Sequence, residues 1–231
     1  MNKILLSFLA FFFIADGFAQ ELVEKKGKII NNVTEVYHVL KNNEQIRQGL
    51  YQALYKRKTA VASGSYTGGK KTGNWYFYTN DGKIAQTYNY DKDSIKYEAR
   101  EDTTSPIRYL IDKEITSKDR VTKPIKVGGR YFGYLPYLSF YKTPFEAAIY
   151  DIDDCYGVIE LLISPMGRLA QYRVRVASGY LDFDQTIKFD VNLFKEEDKK
   201  FIPATFNGEA VLSRIIIACK VNNSGGLDFV R

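Results

Sequence analysis

Side chains with chemical potential are few in this chain, and each has a competing structural explanation. His38 is the only histidine. It lies in Glu35-Val-Tyr-His-Val-Leu40, which alternates like a strand, and no Ser or Cys nucleophile is signalled beside it. A general base without a nucleophile or substrate site does no work, so a structural role is expected. Asp151-Ile-Asp153-Asp154 has the look of a calcium loop, but an EF-hand loop needs Glu at its twelfth position and that residue is Leu162. Asp182 and Asp184 suit helix capping better than a catalytic pair. Gly64-Ser-Tyr-Thr-Gly-Gly69-Lys70-Lys71 nearly spells a phosphate-binding loop. Lys71 stands where the magnesium-binding hydroxyl belongs, and the context is strand–turn–strand, with no helix N-terminus to hold a phosphate. Trp75 and its aromatic neighbours offer a sugar-stacking platform or a packed core, with core expected. No zinc or redox motif is present, so neither a metal nor a cofactor is expected.

The elements around these residues begin with an address. Met1–Gln20 carries Lys3, an apolar run from Ile4 to Ala15 and the small residues Gly17 and Ala19. The run is too short to span a bilayer and fits a secretory signal, taken here as residues 1–19. Export follows, with no transmembrane segment left after the signal is removed. The net charge of +6 is scattered along the chain without a dense run, which disfavours nucleic acid as a partner. The 18 Tyr and 15 Phe favour sheet.

Residues 34–92 repeat with a period of 24. Gly49-Leu-Tyr51 aligns with Gly73-Asn-Trp75, Leu54 with Tyr78, and Tyr66 with Tyr90. Each unit reads as a hairpin, with turns at Lys56-Arg57-Lys58 and Asn80-Asp81-Gly82 and a joint at Thr67–Gly73. Single hairpins cannot bury a core, so the units must stack. Gly64-Ser-Tyr66-Thr-Gly-Gly69-Lys70-Lys71-Thr-Gly73-Asn-Trp75-Tyr-Phe-Tyr78 resembles the variant MORN repeats of exported bacterial proteins. That resemblance implies spacers and interaction surfaces rather than catalysts.

Residues 93–125 read as a connector, in which Ile107, Tyr109 and Ile111 alternate as one further strand. Residues 126–221 read as a second domain and 222–231 as a tail. The second domain has a capping box at Thr143-Pro144-Phe145-Glu146 that starts a helix through Tyr150. A strand follows at Tyr156–Ile163, then a turn at Ser164–Gly167 and a strand at Arg168–Ala177. Phe183, Ile187, Val191 and Phe194 stand at helical spacing, and a last strand ends the domain at Val211–Val221. A crossover through the second helix orders the strands 2-1-3, all antiparallel. Cys155 and Cys219 then fall at the start of one strand and the end of its neighbour, on one face. An oxidised pair fits an exported protein, with two buried thiols the alternative.

Pro144-x-x-Ala147, Gly157-Val158, Ile163-x-x-x-Gly167, Ser178-Gly179-x-Leu181-Asp182 and Phe201-Ile-Pro203-Ala204-x-x-Asn207-Gly208-x-x-Val211 together resemble the C-terminal domain of the energy transducer TonB. The resemblance implies a domain in the periplasm of a Gram-negative bacterium that adds an extended peptide of an outer-membrane transporter to the edge of its sheet, here Val211, Leu212, Ser213, Arg214, Ile215, Ile216 and Ile217. A second copy of the chain is the other candidate for that edge.

The expectation is an α+β protein: a MORN-like hairpin sheet, then a three-stranded sheet with two helices. It is expected to be a non-catalytic interaction module that captures a partner strand. The alternatives are a soluble accessory of TonB-dependent transport and a carbohydrate-active enzyme.

Overall fold

Alternation of aromatic and polar residues drives residues 22–98 into one seven-stranded antiparallel meander: β1 (Leu22–Ile30), β2 (Val33–Leu40), β3 (Asn43–Tyr55), β4 (Thr59–Thr67), β5 (Lys70–Tyr78), β6 (Ile84–Asn89) and β7 (Ser94–Glu98). The computed structural model describes residues 21–101, 104–142, 155–179, 183–222 and 225–230. The hairpin between β4 and β5 turns at Gly68 and Gly69, with φ of +56° and +81°. Such angles suit the twist of the flanking strands and come most easily to glycine.

Tyr51, Tyr66, Trp75, Phe77 and Tyr88 all point inward from this sheet and are buried. Trp75 is fully buried, 5.1 Å from the Tyr51 ring and edge-on to Tyr66 at 5.3 Å. Its indole N–H donates to the Ser65 carbonyl at 3.2 Å. The ring lies flat across Gly64, where an added Cβ would stand 2.3 Å from two of its carbons. The Gly of one unit and the Trp of the next therefore make a single packing device.

A second sheet is built from β8 (Ile107–Ile111), β10 (Cys155–Ile163), β11 (Leu169–Ser178), β12 (Asp184–Phe189), β15 (Ser213–Val221) and β16 (Leu227–Phe229). Its order is β12-β11-β10-β15-β16, with β8 also beside β15. A small third sheet joins β9 (Val121–Thr122), β13 (Ala204–Phe206) and β14 (Glu209–Val211). A 3-10 turn at Phe132–Tyr134 leads into α1 (Leu135–Ser139), a single turn with Pro136 near its start. One hydrophobic core runs through both large sheets: Phe132 from the linking segment stacks on Phe77 at 5.8 Å, and Tyr137 packs against Tyr172 and Phe194. Among the described residues no helix is long and apolar enough to cross a membrane.

The class is nearly all-β, not α+β: strands make up 59% of the structure and α1 is the one short helix among the described residues. The expected helix over residues 182–194 is β12 followed by a 3-10 turn at Val191–Leu193. Phe183, Ile187 and Val191 of the expected set are odd-numbered, as is Phe189, so they fit period two as well as a helix, and Phe194 lies past the strand. Backbone pairing with β11, from Ala177↔Asp184 to Tyr172↔Phe189, selects the strand. Asp184 caps nothing; its carboxylate pairs with Arg175, while Asp190 caps the 3-10 turn by accepting from Asn192 N–H. The expected helix at residues 143–150 and the acidic run at 151–154 lie outside the described residues.

The strands at Tyr156–Ile163, Arg168–Ala177 and Val211–Val221 do stand side by side in the order 2-1-3, as β11, β10 and β15. They are the middle of the sheet rather than the whole of it. The residues read as connector and tail complete it. β8 pairs with β15 from Ser213↔Ile111 to Ile217↔Ile107, and β16 pairs with Cys219–Val221. Between β8 and β9, Asp112–Lys118 is an exposed loop.

Trypsin cleavage after Lys113 or Lys118 should therefore leave two fragments that co-elute on gel filtration and part only in denaturant, because β8 remains hydrogen-bonded to β15. Separation without denaturant would show that the halves have independent cores.

Candidate functional site

The edge expected at Val211–Ile217 is not an edge. Val211 ends β14 and Leu212 follows it outside any strand. Ser213, Arg214, Ile215, Ile216 and Ile217 lie in β15, between β10 on one side and β8 on the other. Both rows of backbone groups are used, so no peptide can add there without displacing β8. Cys155 and Cys219 share a face, but the register sets Cys219 opposite Gly157 and Cys155 one diagonal step away. Diagonal positions are ~7–8 Å apart, beyond the usual reach of a disulfide. Both are buried thiols with no bond between them, and burial pushes the Cys219 thiol up to about 12. Trp75 is core, as Gly64 dictates. His38 Nδ1 lies 3.1 Å from the Leu50 carbonyl, a backbone contact without a nucleophile.

The structure gathers chemistry elsewhere. Between the inner face of the meander and the segments at 126–136, 166–168 and 195–202 lies a groove of about 1190 Å³. Its floor is the aromatic stripe, and two cations lie on that floor. Arg47 sits 4.1 Å over the Tyr37 ring and near Tyr51 and Tyr66, while Lys71 sits 5.2 Å over Trp75 and 5.5 Å over Tyr90. Each cation is held by a carboxylate. The Arg47 guanidinium donates to both Glu35 oxygens, at 2.8 and 3.2 Å, and Lys71 donates to Glu197 at 2.8 Å. Burial pulls Lys71 down, but Tyr90, Glu197 and Tyr66 prevail and hold it charged above the usual lysine range.

Two buried polar groups fix the groove's far wall. Gln86 is wholly buried, and its amide makes four hydrogen bonds: to Glu98 at 2.8 Å, to the Lys126 carbonyl at 3.1 Å, and from the Gly128 and Gly129 N–H groups at 2.9 and 3.1 Å. It pins the Lys126–Gly129 segment to β6. Lys126 then reaches across and donates to the carbonyls of Glu197, Asp198 and Lys200 at 2.7 to 3.1 Å. Burial pulls this ammonium down to about 7, against the opposing attraction of Asp198 and Glu197. Three carbonyl acceptors and no donor match an ammonium, which makes Lys126 a clip rather than a nucleophile.

No protein-family model, curated protein or solved structure matches this chain.

Eight lysines and arginines line the groove against four carboxylates, so much of the net charge of +6 converges there. Lys28, Lys70, Lys195 and Lys200 rise at the rim and join none of the ion pairs among the described residues. Ile29, Phe132, Met166 and Ile202 supply apolar surface between them. Among the described residues no cluster of metal-ligating side chains occurs. Sequence reasoning missed Arg47, Lys71, Gln86 and Lys126. A signal for the first two lies in the repeat itself: carried two residues further back, the same offset of 24 aligns Arg47-x-Gly49-x-Tyr51 with Lys71-x-Gly73-x-Trp75.

Proposed function

We propose that this chain is a non-catalytic, exported interaction module whose groove holds an extended, acidic segment of a protein partner. The observation that carries this reading is the convergence of eight cations on a groove whose aromatic floor is already covered by Arg47 and Lys71. A neutral sugar would have to displace Arg47 or Lys71 to stack on Tyr51, Tyr66 or Tyr90. A dense polyphosphate would meet Glu35, Asp93, Glu197 and Asp198 inside the groove. A peptide carrying spaced carboxylates and apolar side chains suits both the rim lysines and the apolar surface between them. Export rests on the Met1–Gln20 segment.

The test is a labelled peptide alternating glutamate and leucine, followed by fluorescence anisotropy. Binding should weaken roughly tenfold or more in the Lys70→Glu/Lys195→Glu variant, and again as salt rises, since rim charges are screened within ~10 Å at moderate ionic strength. Equal binding of a lysine–leucine peptide, or indifference to the charge reversals, would overturn the reading.

A further inference from the structure

The outward face of the meander has a different chemistry from the rest of the molecule. Charged residues make up 26% of the chain, yet among the outward strand positions of β3 to β6 between Leu50 and Asn89 the one charge is Lys70, at the β4–β5 turn. Reading across the ladder, Leu50 faces Ser65 and Ser65 faces Thr72. Gln52 faces Ser63, Ser63 faces Tyr76, Tyr76 faces Thr87, and Thr87 faces Tyr97 on β7. Asn74 faces Asn89, and their amides bond at 2.6 Å. Further charge lies toward the margins, at Glu24, Lys26 and Lys28 on β1 and at Lys96 on β7.

Within this field stand two exposed rings, Tyr76 at 38% and Tyr97 at 46% exposure. Tyr76 and Tyr97 flank Thr87 in a single row, two strands apart. Strand spacing sets their separation at about 9.5 Å. That is close to the length of one disaccharide unit in an extended β-1,4-linked glycan, so the two rings can stack on every second sugar. The surrounding hydroxyls and amides of Gln52, Ser63, Asn74 and Asn89 can both donate and accept, as sugar hydroxyls require. A charged ligand would find no counter-ion in the rows around Tyr76 and Tyr97, and a wholly apolar partner would leave these polar groups unsatisfied.

We infer that the outward face of the meander, centred on Tyr76 and Tyr97, is a binding site for a neutral, extended β-1,4-linked glycan chain. This site is independent of the groove. The two differ in the sign of their salt response: groove binding falls with salt, whereas glycan stacking on these uncharged rows does not.

The experiment is retention of the full chain on insoluble chitin and on cellulose, with chitohexaose and cellohexaose as soluble competitors, at low and high salt. Retention should persist at high salt. It should fall roughly tenfold in Tyr76→Ala or Tyr97→Ala and vanish in the double variant, while the glutamate–leucine peptide still binds the groove. Both rings are exposed, so the variants should keep the wild-type near-ultraviolet circular dichroism of the buried Trp75. No retention on either polymer, retention that salt abolishes, or retention unchanged in the double variant would each overturn the assignment. A concentration-dependent dimer that the same substitutions dissolve would overturn it too, by giving the face to a second copy of the chain.

Discussion

Replacing Gly64 by alanine should cost about 3 kcal/mol, lowering the melting temperature by roughly 6–12 °C for a chain of this size. The new methyl would stand 2.3 Å from carbons of the Trp75 ring. That ring has nowhere to go, because Tyr51, Tyr66, Phe77 and Tyr90 hold it on four sides and its N–H is bound to Ser65. A double-mutant cycle isolates the clash. In a Trp75→Leu background, where no ring covers Gly64, the same alanine should cost less than about 1 kcal/mol. Thermal unfolding monitored by far-ultraviolet circular dichroism supplies both numbers. Equal costs in the two backgrounds would mean that the glycine is needed for its backbone and not for the ring above it.

The second large effect concerns Gln86. Gln86→Leu leaves the Gly128 and Gly129 N–H groups without their acceptor in a buried site, and each such loss costs ~1–3 kcal/mol. Gln86→Glu is more informative because it adds a pH dependence. The new carboxyl would lie at hydrogen-bonding distance from Glu98, whose own carboxyl burial already raises above the usual range. Two carboxylates that close cannot both ionise, so the pair should hold a proton well above the unfolded glutamate value. The sign follows from linkage. A folded pKa raised above the unfolded one gives stability that is fully present below the unfolded value and is lost as pH rises through the folded value. Gln86→Glu should therefore be nearly as stable as wild type near pH 4 and about 3 kcal/mol weaker at pH 8, as read by urea unfolding across that range. A difference from wild type that stays constant with pH would show that the two carboxyls do not share a proton.

The sequence by itself determined the hairpin array. Its period of 24, its Gly-Gly and Asp-Gly turns and its alternating aromatics are local signals, and a hairpin meander is a local structure in which each strand pairs with its neighbour in the chain. The core assignment of Trp75 was legible for the same reason. The pairing of Tyr156–Ile163 with Arg168–Ala177 also followed from a short turn, whereas the place of Val211–Val221 was read from a helical crossover that the structure replaces with β12 to β14.

What the tertiary structure decided was long-range. Whether residues 183–191 coil or extend depends on a partner strand, because their odd-numbered apolar residues satisfy either period, and β11 supplied that partner. Whether Val211–Ile217 is open depends on residues 107–111, about a hundred positions away, which no local pattern assigns to that edge. The cysteine pairing failed by one ladder step, because sharing a face and a strand end does not fix register to a single residue. The groove was least visible of all. Arg47, Lys71, Gln86 and Lys126 read as ordinary polar residues on a basic surface. Their roles exist only where two sheets meet, since a buried polar group must find its partners wherever the fold brings them.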